Sequence, residues 1–174
     1  MRILGIDPGL GRCGFGLIDA VNRSSASALD YGVVITTVDA PLPSRLKELY
    51  DSLNQVFDEC KPEVVAVEKL FFSKNITTGI AVAEARGIVL LVAEQRGLLV
   101  YEYSPNEIKK TLTGYGAAEK GQIQEMVRVH LGLEKKPRPD DAADALAAAI
   151  TCSFLYMTGK NDEYKFSNSR KEKK

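Results

Sequence analysis

One short run, Val64 to Glu68, most constrains the fold of this chain, because it is apolar and rich in β-branched residues up to its last position. It lies between two segments whose apolar residues recur at helical spacing, one from Ser44 to Pro62 and one from Asn75 to Gly97. We predict Ser44 as the N-cap of the first helix and Pro62 as its end. A strand without polar alternation between two helices is typical of a parallel sheet that helices cover on both faces.

The other segments complete a mixed sheet. Strands come first, then helices alternate with strands, and the chain ends in helices, which predicts an α/β fold with a mixed β-sheet flanked by helices. The further predicted strands are Arg2 to Asp7, Gly14 to Asp19, Asp30 to Thr36 and Leu98 to Tyr103, and the further predicted helices are one after Pro105, Glu119 to His130 and Asp140 to Tyr156.

Length and composition exclude several classes of protein. The 174 residues suit one domain, predicted over residues 1–158, followed by a polar and basic tail over 159–174 that we expect to be disordered. The longest apolar run, Ile88 to Ala93, is far shorter than the roughly 20 residues that cross a bilayer. The N-terminal apolar stretch stops at Asp7-Pro8-Gly9, too early for a secretory segment, and the three cysteines are widely separated, which argues against a disulfide framework or a zinc site. We therefore expect a cytoplasmic protein.

Charge is segregated although it balances overall. The chain has 23 basic and 23 acidic residues, but six basic residues face three acidic ones in the tail over 159–174. A second basic excess, of seven residues against four, lies between Ser104 and Pro139. This segregation is consistent with a polyanionic partner.

Four acidic residues lie in or beside apolar segments, where a carboxylate costs several kcal/mol unless it is paired or binds a metal. Asp7 and Glu68 end two predicted strands, and sites of α/β sheets form at the carboxyl ends of strands. Asp141 and Asp144 are three residues apart and share one face of the last helix. Small neighbours such as Ala145 would let that helix lie close to the sheet, so that all four carboxylates meet.

Taken singly, three of these acids have simpler interpretations. Asp7 suits a turn before Pro-Gly, Glu68 suits the polar end of a strand, and Asp141 suits a helix cap. Asp144 fits none of them, because it lies inside an alanine-rich helix. Together the four favour a metal site, and ligands that are all oxygen favour Mg²⁺ or Mn²⁺. Two such ions about 4 Å apart would form a centre that cleaves phosphodiesters.

Five motifs carry a resemblance to a known family. They are Ile3-Leu4-Gly5-Ile6-Asp7-Pro8-Gly9, Val67-Glu68-Lys69-Leu70-Phe71, Ala85-Arg86-Gly87, Ala118-Glu119-Lys120 and Asp141-Ala142-Ala143-Asp144-Ala145-Leu146-Ala147. In this order and spacing, over residues 1–151, the chain resembles the RuvC family of bacterial Holliday-junction resolvases. The resemblance implies a ribonuclease H-like fold, a homodimer on one four-way DNA junction, and Mg²⁺-dependent nicking of two strands of like polarity.

The resemblance also implies roles for single residues. The four carboxylates match the acidic positions at which the family binds two metal ions and catalyses cleavage. Lys109 and Lys120 match basic positions near the DNA backbone, and Phe71 matches an aromatic residue that stacks on junction bases. Arg86 serves either DNA binding or the structure, Phe71 alternatively packs in the core, and the two lysines alternatively are ordinary solvated residues. The RuvA–RuvB branch-migration complex is the expected protein partner.

Three rival functions remain open at this point. The start of the chain, Asp7-Pro8-Gly9 with two further glycines, also looks like the phosphate-binding hairpin of actin-like and sugar-kinase ATPases, but those proteins need two such domains. Another ribonuclease H-like nuclease is the closer rival. A junction-binding protein without catalysis is the third, although retained buried acids would then only destabilise the core.

Overall fold

The computed structural model describes residues 1–22, 25–69, 76–156, 158–160 and 165. Its elements are β1 (Arg2–Asp7), β2 (Arg12–Asn22), β3 (Ser25–Ile35), α1 (Leu42–Cys60), β4 (Val64–Glu68), α2 (Ile76–Gln95), β5 (Leu99–Tyr103), α3 (Pro105–Thr113), α4 (Lys120–His130) and α5 (Asp140–Tyr156). No helix in these ranges is both long enough and apolar enough to cross a membrane.

The five strands form one mixed sheet in the order β3-β2-β1-β4-β5. β1, β2 and β3 pair antiparallel, whereas β4 is parallel to both β1 and β5. β1 is therefore the central strand, with the opening hairpin on one side and the parallel strands on the other. The predicted mixed sheet flanked by helices is confirmed.

Each face of the sheet builds its own core. Residues at odd positions of β1, such as Ile3, pack with Ala66 of β4 and with α3, α4 and α5. Residues at even positions, such as Leu4, pack with Val65 of β4 and with α1 and α2. Because side chains alternate along a strand, the position of a residue in its strand determines which helical layer it meets.

Helix α5 lies unusually close to the sheet, because the strands beneath it carry glycine. A Cβ atom added to Gly5 would lie 1.9 Å from the carbonyl oxygen of Ala145, and one added to Gly14 would lie 2.1 Å from the carbonyl oxygen of Asp141. At Gly16 it would meet the Leu146 side chain at 2.7 Å. The backbone of α5 thus rests directly on β1 and β2. The sequence predicted this close contact from the small residues of the helix, but the strands also supply glycines that make room for it.

Some boundaries differ from the prediction. Ser44 is not the N-cap of α1, because the helix begins at Leu42 after the N-cap Pro41, with Pro43 in the first turn, where its missing N–H costs no helical hydrogen bond. β2 and β3 extend to residues 12–22 and 25–35, well beyond the predicted strands, because antiparallel pairing continues into exposed polar positions. Lys165 forms an isolated antiparallel bridge with Tyr101 of β5, and the rest of the predicted disordered tail, apart from residues 159 and 160, lies outside the described residues.

We predict that Gly5→Ala destabilises the protein by about 2–3 kcal/mol, since the added methyl group would push α5 away from β1. Gly121→Ala is the matched control: Gly121 lies within α4 with nothing within 4 Å of the added carbon, so the same change should stabilise by up to about 1 kcal/mol. Urea denaturation of both variants measures this difference. Equal effects of the two substitutions would contradict the close contact of α5 with β1.

Candidate active site

Asp7 and Glu68 are the last residues of two neighbouring parallel strands, β1 and β4. The register pairs Ile6 with Val67, so the two acidic residues follow side by side at the same edge of the sheet. Asp7 lies at an odd position of β1, like Ile3, and Glu68 alternates in β4 with Ala66. Both therefore project towards the α5 layer, as the sequence predicts.

The first turns of α5 bring the other two carboxylates to this edge. Gly14 pairs with Asp7 in the β1–β2 ladder, and a Cβ atom on Gly14 would come within 3.1 Å of the Cβ atom of Asp141. Asp141 therefore packs against β2 at Gly14, directly beside Asp7. Asp144 follows one turn later and lines a cavity of about 220 Å³ together with Glu68.

Electrostatics confirm that the four residues share one region. The pKa of Asp7 is raised to about 8, first by burial and then by the carboxylates of Glu68, Asp144 and Asp141 in that order of size. Burial, and then the Asp144 carboxylate, raises the pKa of Glu68 to about 7. The pKa of Asp144 is also raised by burial, against the opposing effect of Lys120. Three neighbouring carboxylates with raised pKa values are poorly compensated by the protein alone.

Two basic residues pair with the two carboxylates that α5 contributes. Nε of Arg12 donates to Oδ2 of Asp141 at 2.9 Å. Nζ of Lys120 lies 3.3 Å from Oδ2 of Asp144 and 3.3 Å from Oδ2 of Asp140. Burial lowers the pKa of Lys120, but the charges and hydrogen bonds of Asp144 and Asp140 together outweigh this effect and the net shift is upward, so the ammonium stays charged.

The donor set suits a divalent cation. All four groups are carboxylates, which hard cations such as Mg²⁺ and Mn²⁺ prefer, and a cation would relieve the repulsion that raises the pKa of Asp7. In the described ranges, no three Asp, Glu, His or Cys side chains already surround one point at ligand distance. Asp141 and Asp144 point instead to Arg12 and Lys120, and would turn from these bases to complete a metal site.

The predicted DNA-binding residues fall in three different places. Lys109 and Lys120 both line the cavity beside Glu68 and Asp144. Arg86 is not brought there: its Nε donates to Oε1 of Glu102 at 2.7 Å, on the α2 face of the sheet. Phe71 lies outside the described residues.

Sequence reasoning missed Arg12. It follows a glycine-rich connection, and nothing in its spacing from Asp141, 129 positions later, indicates contact. The only available signal is its alternation with Gly14 in β2, which places it on the α5 face once the hairpin register is known.

Comparison with known proteins decides the family. The family model described as crossover junction endodeoxyribonuclease RuvC matches residues 3–152. The chain belongs to the RuvC family. Curated RuvC relatives include that of Heliobacterium modesticaldum, 50% identical over 91% of this chain and 98% of the relative, and that of Petrotoga mobilis, 47% identical over 94% and 100%.

Solved structures support the same assignment. RuvC of T. thermophilus in complex with a Holliday-junction substrate superposes with a TM-score of 0.87 and 37% identity, covering 92% of this chain and 97% of that chain. The yeast mitochondrial resolvase Ydc2 shares the fold, with a TM-score of 0.62 at 18% identity. The family and the ribonuclease H-like fold predicted from the sequence are confirmed.

We predict that the free energy of unfolding, measured in EDTA, falls as the pH rises from about 5 to 8. The pKa of Asp7 is raised from 3.8 to about 8, so the folded chain binds more protons than the unfolded chain between these values, and stability is lost as they leave. Asp7→Asn should flatten this dependence and be more stable than the wild type at pH 8. Urea titrations at several pH values measure it.

Asp140→Asn is the matched control for this prediction, because Asp140 is exposed and the hydrogen bond from Lys120 lowers its pKa. It should keep the falling profile of the wild type. A wild-type stability that is constant or rises across this range would contradict the buried, mutually repelling carboxylates.

Proposed function

We propose that this chain is a Holliday-junction resolvase, an endonuclease that resolves four-way DNA junctions in homologous recombination and repair by paired symmetric nicks. The observation that carries the proposal is the convergence of four carboxylates from β1, β4 and α5 at one edge of the sheet. It occurs in a chain of the crossover junction endodeoxyribonuclease family, and one relative of high structural similarity is known in complex with a Holliday-junction substrate.

Divalent-metal dependence accords with the family and the all-carboxylate donor set. We infer two Mg²⁺ ions per site, held by Asp7, Glu68, Asp141 and Asp144, with Mn²⁺ as a substitute. When bound, such ions supply an activated water and stabilise the leaving 3′-oxygen.

The strand ends and α5 hold the four carboxylates at the point where the phosphodiester would be cleaved. Asp7 and Glu68 are fixed by adjacent strand ends, so their carboxylates form the rigid part of the site, while Asp141 and Asp144 enter from α5. Hydrolysis joins the water oxygen to phosphorus and breaks the bond from phosphorus to the 3′-oxygen. The products are a 5′-phosphate and a 3′-hydroxyl, which a ligase can rejoin.

The basic wall of the cavity would position the DNA. Lys109 and Lys120 line the cavity beside Glu68 and Asp144, which supports contacts to a backbone phosphate there, and phosphate contacts fix register without reading sequence. We also propose that Phe71 stacks on junction bases, as the family resemblance implies. Arg86 would contact DNA only from the α2 side, where its ion pair with Glu102 supports a structural role.

A homodimer would place two such sites on one junction. Ile80 and Leu91 of α2 are half exposed, and their spacing of 11 positions amounts to about three helical turns, which puts both on one face. An isologous pairing of α2 helices fits this face. The RuvA–RuvB complex as partner and a cytoplasmic location, beside chromosomal DNA, complete the proposal.

We predict that Asp7→Asn lowers Mg²⁺-dependent cleavage of a synthetic mobile four-way junction at least about 1,000-fold while junction binding stays within about threefold, because the change removes metal-binding charge but no DNA contact. Asp144→Asn should behave alike. Asp140→Asn is the control, since this neighbouring acid is exposed and lies outside the set of four, and it should retain cleavage.

Linear duplex and RNA–DNA hybrid serve as substrate controls in the same gel assay. Cleavage of the hybrid in place of the junction would assign the chain to another class of ribonuclease H-like nuclease. Binding without cleavage by the wild type would leave a junction-recognition protein.

We predict that Lys109→Gln and Lys120→Gln each weaken junction binding and reduce the slope of log K against log salt by about 0.9, the value expected for the loss of one phosphate contact. Lys47→Gln is the control, since it also removes an exposed lysine, but on α1, on the other side of the sheet. Fluorescence anisotropy between 50 and 200 mM salt, in EDTA, measures the slopes. Unchanged slopes in both cavity variants would remove them from the DNA contact surface.

A further inference from the structure

Arg12 is the one basic residue at the carboxylate centre that belongs to the opening hairpin, among the residues the structure describes. It is the first residue of β2, its side chain is 49% exposed, and only Nε donates to the protein within the described ranges, at 2.9 Å to Oδ2 of Asp141. A guanidinium carries five donors in a planar fork. The donors of its two Nη atoms therefore have capacity for a further anion.

The backbone that carries Arg12 is firmly anchored. Oγ1 of Thr36 donates to the carbonyl oxygen of Leu10 at 2.6 Å, and the Thr36 amide donates to the carbonyl oxygen of Gly11 at 3.3 Å. Nε of Arg45 donates in turn to Oγ1 of Thr36 at 3.1 Å. Arg12 is thus presented from a rigid connection, which is where a residue that positions a ligand is most effective.

Sheet order places Arg12 on the opposite flank of the centre from Lys109, which lines one cavity with Lys120 and Glu68. β2 borders β1 on one side, whereas Lys109 follows β5, on the other side of β4. With strands about 4.8 Å apart, the distance from β2 to β5 is about 14 Å across the strand ends. A DNA strand has one phosphate per about 3.4 Å of helix rise, so a strand that crosses the carboxylates extends past both flanks.

We propose that Arg12 binds a DNA backbone phosphate on the β2 side of the active centre through its Nη donors, which are separate from the Nε that donates to Asp141 in the metal-free protein. It is a substrate-positioning residue that extends the phosphate track of Lys109 and Lys120 across the site. The inference rests on the proposed function, since it takes DNA as the ligand.

A different role would produce a similar first result. If Arg12 only neutralised Asp141, its removal would leave an additional negative charge beside the DNA and weaken binding without any lost contact. The combination Arg12→Gln with Asp141→Asn separates these cases, because it removes the phosphate donor and leaves the local charge as in the wild type.

The experiment measures junction affinity in EDTA between 50 and 200 mM salt for the wild type, Arg12→Gln, Asp141→Asn and the double variant. We expect Arg12→Gln and the double variant both to bind about tenfold more weakly at 100 mM salt, with slopes reduced by about 0.9. Recovery of wild-type affinity and slope in the double variant would overturn the proposal, because Arg12 would then act only on Asp141.

Two further variants exclude trivial explanations. Arg2→Gln removes another exposed arginine at the opposite end of β1, where it contacts the carbonyl oxygen of Cys60, and it should bind like the wild type. Arg12→Lys keeps the charge and should keep the slope; a loss as large as that of Arg12→Gln would also overturn the proposal. Failure of the wild type itself to prefer the junction to linear duplex would instead refute the proposed function, whatever Arg12 does.

Discussion

The contact of α5 with the glycine-bearing faces of β1 and β2 is the constraint on which the active centre depends. Asp7 and Glu68 are adjacent through strand pairing alone, but Asp141 follows Asp7 by 134 positions in the chain. It reaches Asp7 because Gly14, the ladder partner of Asp7, leaves room for the backbone of α5. A side chain at Gly5 or Gly14 would lift the helix and carry two of the four carboxylates away from the strand ends.

Bringing four carboxylates together destabilises the chain locally, and the structure shows how it tolerates this. Two of the four, Asp141 and Asp144, are partly neutralised by Arg12 and Lys120. The other two, Asp7 and Glu68, have raised pKa values. A site that is electrostatically unfavourable in the protein alone is one that gains most from a bound cation. The same repulsion that lowers stability thus gives the centre its preference for divalent metal ions.

Much of this fold was predictable, because β4 and α1 have unmixed patterns: an apolar β-branched strand and a regular helical period. β2 and β3 were predicted too short, since their outer halves alternate with exposed polar residues and derive their pairing from each other. The helix start at Leu42 was missed because proline replaces the usual polar cap. Glycine beneath α5 gave no signal, since sequence does not show which glycines face a helix.

Glu102 shows why the site was only partly predictable. It is a carboxylate in an apolar strand, like Glu68, and the rule that selected Glu68 applies to it equally. Their side chains project from opposite faces of the sheet: Glu68 faces α5, whereas Glu102 faces α2 and pairs with Arg86. Burial of an acid therefore predicts that it has a partner, and only the register of the sheet determines whether that partner is an arginine or the other acids of the site.

The charge distribution of the centre also links its two proposed ligands. Lys120 is shared between Asp140 and Asp144, so a cation that takes over Asp144 leaves the ammonium with one exposed partner and frees it for a phosphate. Linkage is reciprocal: a phosphate that draws Lys120 away from Asp144 equally favours the cation there. A chain with balanced net charge can in this way bind a polyanion, because the basic residues at its active centre are held in place by the same carboxylates that the metal requires.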